Sequence, residues 1–129
     1  MNFQQLWRYQ DQFVEGALVT LALTLVSAVA GLAIGVAGAL LMRGGPRPVR
    51  FAVRAYIEVF RNTPSLIQIF LIFFVLPSFG LKLPAFEAAA VALSLYFGAY
   101  CVEIVRAGLD SIPRSQIEAG QCLGIPGWQ

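Results

Sequence analysis

Gly16 to Met42 reads GALVTLALTLVSAVAGLAIGVAGALLM, 27 residues without a single charge. A helix needs about 20 apolar residues to cross the hydrocarbon core of a bilayer, so this run can span it with some tilt. A cleavable leader fits poorly, because such leaders carry an apolar stretch of only roughly 7–15 residues, and Asp11 and Glu15 precede the run here. The whole chain of 129 residues agrees, with 58% hydrophobic and 12% charged residues, where soluble domains average about 25% charged. Its mean hydropathy is +0.73. There is no histidine, and the two cysteines, Cys101 and Cys122, are not in a Cys-x-x-Cys pair. Histidine-based metal sites and Ser-His-Asp chemistry are therefore excluded, and both cysteines read as small packing residues. No basic run interleaved with aromatics lies outside the membrane boundary, which argues against a nucleic-acid partner.

Two further spans follow. The uncharged stretch between Arg61 and Lys82 has 20 residues, and Asn62-Thr63-Pro64 suggests its start, with Thr63 as N-cap and Pro64 at the first helical position. Pro77 and Gly80 close it. The third stretch, between Glu87 and Glu103, has 15 uncharged residues and reaches membrane length when counted from Pro84 to Val102. Spans are thus expected at about 14–42, 63–80 and 84–104, with a loop at 43–62. That loop carries Arg43, Arg47, Arg50, Arg54 and Arg61, and the segment after the third span adds Arg106 and Arg114. Arg8 and Lys82 alone stand on the other side, so seven cations against two predict a cytoplasmic loop and an N-terminus outside.

Within the first run Ser27, Gly31 and Gly35 repeat every four residues, with Gly38 nearby. Small residues at that spacing let a second helix approach closely in lipid. Polar groups gather at the membrane edge. Arg54, Glu58 and Arg61 share one helical face and can compensate one another. Gln68 lies inside the second apolar run, and Glu103, Arg106 and Asp110 form a second cluster. Charges at bilayer depth are paired, line a polar cavity or snorkel to the interface. Snorkelling anchors and structural ion pairs are the preferred reading here, with substrate contact as the alternative.

Beyond Ser111 the chain turns polar. Pro113 marks one helix start, and Ser115 with Glu118, spaced as in a capping box, marks a second. The resulting short amphipathic helix would show Ile117 and Leu123 on its apolar side and end near Gly124 and Gly127. In this segment EAGQCLG resembles the EAA loop of ABC importer permeases. Glu118, Ala119 and Gly124 match that pattern, with Gly120 where a second alanine usually stands. EVFRNTP resembles a stretch of the polar-amino-acid permeases through Glu58, Arg61, Asn62, Thr63 and Pro64. The run GAYCVEIVRAGLDSIPRSQIEA resembles the same subfamily through Gly98, Ala99, Tyr100, Glu103, Arg106, Ile112, Pro113 and Gln116.

The resemblance implies an all-α integral membrane protein with three transmembrane helices and a short cytoplasmic coupling helix within an EAA-type coupling loop at 111–129. This would be the N-terminal part of a five-span permease, truncated within the EAA loop, in a bacterial cytoplasmic (inner) membrane. Glu118, Ala119, Gly120 and Gly124 would couple it to separate ABC ATPase subunits. Glu58, Arg61, Asn62, Thr63, Gln68, Tyr100, Glu103 and Arg106 become candidates for a substrate path or gate. The expected partners are the ATPases, a second permease subunit and an external amino-acid-binding protein. ATP and magnesium would be held by the ATPases, with no cofactor or metal on this chain and no catalytic residue, in keeping with its lack of a G-x-x-x-x-G-K-[ST] motif. Two other classes fit the composition: a small polytopic interaction or scaffold protein, and part of an ion-coupled secondary transporter. The latter predicts interrupted helices with charges near mid-membrane, whereas the charges here cluster at the ends of the apolar runs.

Overall fold

The structure, a computed structural model, describes residues 9–124. Five α-helices follow in chain order: α1 Gln10–Gly44, α2 Arg47–Asn62, α3 Ser65–Phe70, α4 Ala85–Asp110 and α5 Arg114–Cys122. No strand occurs among the described residues. Helices α1 and α4 are long and apolar enough to cross a membrane; α2 and the segment from Ser65 to Phe79 qualify only as a bent pair, turned by 107° at their joint. Gly127 and the rest of the terminal loop past Gly124 lie outside the described residues.

The expected small-residue seam exists, and its partner is in this chain. Ser27, Gly31, Gly35 and Gly38 are the buried positions of α1, together with Ala39. They face α4 in ascending order: Gly31 lies against Phe97 and Gly98, Gly35 against Cys101, and Gly38 against Val102. Ascending order on both helices means that α1 and α4 run parallel. At Gly35 the backbone carbonyl carbon of Cys101 comes within 3.0 Å of where a Cβ would stand. Glycine serves here because two backbones nearly touch, a device suited to lipid, where burial against a neighbour gains little hydrophobic energy over burial in acyl chains. The outer face of α1 stays apolar and exposed, with Leu18, Leu21, Leu25, Val29 and Leu32 on it, as a lipid-facing surface requires. Hydroxyls in the apolar stretch bond back along their own helices, Thr20 to the Gly16 carbonyl and Thr24 to the Thr20 carbonyl, both at 2.8 Å.

Parallel helices in one chain need a return path between them, and α2 with the Ser65–Phe79 segment supplies it. Helix α2 begins behind Pro46 and is amphipathic. Ile57 is buried on Ala39 and Val102, with Val53 and Tyr56 beside it, while Arg47, Arg54, Glu58 and Arg61 are exposed. Thr63 was expected to cap the next helix. It is instead the extended C-cap of α2, at φ −111° and ψ 130°, and Pro64 is the N-cap of α3, which starts at Ser65. The proline ring disfavours helical geometry in the residue before it, which moves the start by one.

Gln68 holds the joint together. Its side-chain amide is buried and donates to the carbonyls of Phe60 and Thr63, both at 2.9 Å. Those carbonyls belong to the frayed end of α2, where no helical N–H remains to serve them. Gln68→Leu keeps the volume and removes both donors. We expect it to lower stability by about 2–4 kcal/mol, since the two stranded carbonyls cost ~1–3 kcal/mol each and leucine offsets part of this by removing the buried, partnerless Oε1. A melting temperature in detergent unchanged from wild type would refute this role. Further on, the helix widens into a π-helical turn over Leu71–Val75 and tightens to a 3-10 turn over Leu76–Phe79. Pro77 brings no N–H to the preceding turn, which explains the change of register. Gly80 at φ +87° then ends the element in the left-handed region.

Helix α5 starts at Arg114 with Pro113 as its N-cap and no side-chain capping bond. Of the two starts read from the sequence, the proline is the one used, and the Ser115–Glu118 box is absent. Gly124 closes the helix at φ +76°, its N–H bonded to the Gln121 carbonyl at 3.0 Å.

Candidate functional site

The two charge clusters read separately in the sequence meet as one. Helix α2 lies against α4 through Ile57 and Val102, and the Tyr56 hydroxyl reaches across to donate to the Leu95 carbonyl. Gly98 makes that approach possible: a Cβ there would stand 2.7 Å from Ile34 and 2.9 Å from the Tyr56 oxygen. This packing places Arg61 opposite Glu103. Arg61 Nη1 lies 3.3 Å from Glu103 Oε2, and Arg106 Nη2 lies 3.3 Å from Glu103 Oε1. One carboxylate thus bridges two guanidinium groups, one on its own helix and one from α2.

Compensation within the Arg54–Glu58–Arg61 face, expected from spacing, does not occur. Glu58 forms no ion pair among the described residues, because α4 offers Arg61 a better-placed partner. The Arg61 guanidinium also sits over the Tyr100 ring, 5.2 Å from its centroid, at a range where a cation is attracted to the ring face. Tyr96 donates to the Tyr100 hydroxyl at 3.2 Å. Tyr96, Tyr100 and Glu103 therefore form a polar stripe on successive turns of α4 that faces α2 at its lower end.

Two adjoining recesses open along this stripe. One, of about 260 Å³, is lined by Ile57, Glu58, Arg61, Asn62 and Tyr100. The other, of about 300 Å³, is lined by Met42, Arg54, Ile57, Glu58, Arg61, Glu103 and Arg106. One falls just below and the other at the lower limit of the range for ligand pockets, about 300–1,000 Å³. Half-exposed charges of both signs sit side by side in them, so a small zwitterion could find a cation and a carboxylate within one contact distance. Of the sequence candidates, Glu58, Arg61, Asn62, Tyr100, Glu103 and Arg106 line the cleft. Thr63 and Gln68 do not, and their polar groups serve the joint described above. Met42, Ile57 and Tyr96 were missed. Tyr96 had a legible signal, standing four residues before Tyr100 and seven before Glu103 on one helical face.

Glu118, Ala119, Gly120 and Gly124 lie on α5 and its C-terminal turn, away from the cleft. Glu118, Ala119 and Gly124 are exposed, and Gly120 is half-buried. Ile117 and Leu123 remain 41% and 81% exposed, so the apolar side of α5 is uncovered.

The family described as "Binding-protein-dependent transport system inner membrane component" matches residues 30–129. The chain is 38% identical over 110 residues to the L-cystine transport system permease protein TcyB of Bacillus subtilis, covering 85% of this chain and 47% of that protein. It is 40% identical over 114 residues to the arginine transport system permease protein ArtQ of the same organism, covering 88% and 52%. The putative glutamine transport system permease protein GlnP of Rickettsia conorii is similar at the same identity and coverage. A solved chain described as "Crystal structure of an amino acid ABC transporter with histidines" superposes with a TM-score of 0.88 at 36% identity, over 97% of this chain and 58% of that one. The chain spans about half the length of the curated relatives it matches.

Proposed function

This chain belongs to the family of binding-protein-dependent transport system inner membrane components, and from that premise we propose that it serves as a permease subunit of an ATP-driven importer of polar amino acids. The observation that carries the reading is the Arg61–Glu103–Arg106 bridge, a paired and half-exposed charge cluster where the amphipathic α2 meets the apolar α4. In such a cleft Arg61 would take the carboxylate of an amino acid and Glu103 its ammonium group, with each charge exchanging one partner for another. Tyr100 offers a ring face and a hydroxyl beside them. A scaffold would use this cluster only as a structural ion pair, and the family assignment disfavours both a scaffold and an ion-coupled carrier.

Orientation and partners belong to the same proposal. The N-terminus would lie outside and α5 in the cytoplasm, supported by the seven-to-two arginine and lysine asymmetry. The bent α2 and Ser65–Phe79 pair would then serve as the second of three passes. The exposed apolar side of α5 fits a groove on a separate ATPase subunit, which would hold ATP and magnesium. A second permease subunit, identical or related, and an external binding protein would complete the assembly. Nucleotide binding would shift a bistable bundle through α5, because the docked contacts differ between its two states.

The test is uptake of labelled amino acids by the intact complex in proteoliposomes. Uptake is expected to require internal ATP and to survive ionophores that collapse ion gradients. Uptake driven by a gradient without ATP would overturn the proposal. In the same assay Glu103→Gln should raise the half-saturating substrate concentration about tenfold, the scale of one charge-assisted hydrogen bond. Unchanged kinetics would return the cluster to a purely structural ion pair.

A further inference from the structure

A second basic recess adjoins the cleft and shares Met42, Arg54 and Arg106 with it, while Arg43, Leu109 and Asp110 line this recess and not the cleft. Its walls come from the C-terminal ends of α1 and α4 and from α2: Arg43, Arg54, Arg106 and Asp110, over a floor of Met42 and Leu109. Three cations face one carboxylate. Neither Arg43 nor Arg54 forms an ion pair among the described residues, and neither does Asp110. Arg106 gives one nitrogen to Glu103, and its Nε is buried without an acceptor. The recess measures about 140 Å³, the space of roughly four or five waters, which suits a tetrahedral anion.

Its setting narrows the source of that anion. Arg43 is the first charge after the 27-residue uncharged run of α1, the depth at which lipid headgroups begin. The floor is apolar, and Leu40 and Leu41 stand exposed on the same turns of α1, where acyl chains would lie. A free phosphate has no use for that apolar side, whereas a phospholipid needs both halves. We propose that Arg43, Arg54 and Arg106 hold the headgroup phosphate of an anionic phospholipid, with its glycerol end over Met42 and Leu109. The site stands independently of which solute the protein carries. Arg54, Arg106 and Met42 line both this recess and the cleft, so an occupied lipid site shares side chains with the Glu103 bridge.

Native mass spectrometry of the intact complex tests this, with dioleoyl phosphatidylglycerol set against dioleoyl phosphatidylcholine. Phosphatidylglycerol is expected to remain bound at collision energies that strip phosphatidylcholine. The double variant Arg43→Gln with Arg54→Gln should lose about thirtyfold of that preference, the scale of a charge-assisted hydrogen bond to the phosphate. Arg47→Gln with Arg50→Gln removes equal charge from α2 outside the recess and should keep the preference. An equal loss in both double variants would reduce the effect to diffuse surface charge and overturn the site. So would equal retention of the two lipids by the wild type, or displacement of phosphatidylglycerol by millimolar inorganic phosphate, which marks a free-anion site. If the glutamine variant does not assemble, Arg43→Lys with Arg54→Lys preserves charge without the planar fork. It should then retain phosphatidylglycerol over phosphatidylcholine, and a lipid-indifferent lysine variant counts against the proposal.

Discussion

Gly35→Val is expected to cost the protein its folded state. A Cβ at position 35 collides with the Cβ of Cys101 and comes within 3.0 Å of its backbone carbonyl carbon. A flexible side-chain tip could swing aside, but a backbone cannot move without moving α4. The two helices must therefore part along the seam, and the neighbouring contacts of Gly31 and Gly38 open with it. Overpacking a tight interior commonly costs about 1–3 kcal/mol and occasionally more, and the backbone contact puts valine at or above the upper end. Little monodisperse protein should survive detergent extraction. Gly35→Ala should be milder and still destabilising. Its effect should be relieved in part by Cys101→Gly, which removes the Cβ that the new methyl meets and leaves the backbone of residue 101 at 3.0–3.1 Å. Additive effects in that double-mutant cycle would show that the seam is not where the strain resides.

Gly124→Arg should abolish coupled uptake and leave membrane insertion intact. Among the described residues nothing lies within 4 Å of a Cβ at Gly124, so arginine meets none of them. The positive φ of 76° does penalise any side chain there, by about 1–2 kcal/mol, within reach of a local rearrangement of the last turn. The larger effect comes from docking: a long cation beside Leu123, 81% exposed, would have to enter the proposed groove on the ATPase. Uptake should fall about thirtyfold or more, the scale of losing one ~2 kcal/mol anchor at an interface. Gly124→Ala separates the two causes, since it carries the backbone penalty without the bulk. If alanine and arginine impaired uptake equally, backbone geometry would be the cause and docking would not.

Some of this was open to reading from residues alone. The 27-residue run shows itself because lipid imposes a length and tolerates no charge. The seam of Ser27, Gly31, Gly35 and Gly38 shows itself because close approach leaves a spacing. The arginines and glutamates are visible as two edge clusters, one before the second apolar run and one after the third. Their union is not, because Arg61 and Glu103 meet only through the packing of Ile57 on Val102 and the gap left by Gly98. The sequence predicts a loop at 43–62 with one helical face; 47–62 form a full helix, since Pro46 starts it and Ile57 has a core to enter. Gln68 shows the opposite failure. A polar residue inside an apolar run invites a reading as a substrate ligand, and here it serves carbonyls that a proline-broken helix leaves behind.

The parallel pairing of α1 with α4 also bears on how the chain is made. Residues 35 and 101 meet across about half of the sequence, so α1 must wait in the bilayer while everything between them is synthesised. During that interval its glycine seam faces lipid or whatever helix passes by. Any other nascent helix with small residues on one face is a competitor for it. Fidelity of assembly then depends on how fast α4 arrives, and slowing elongation between residues 45 and 85 should raise the fraction of chains sent to proteolysis without changing a single residue.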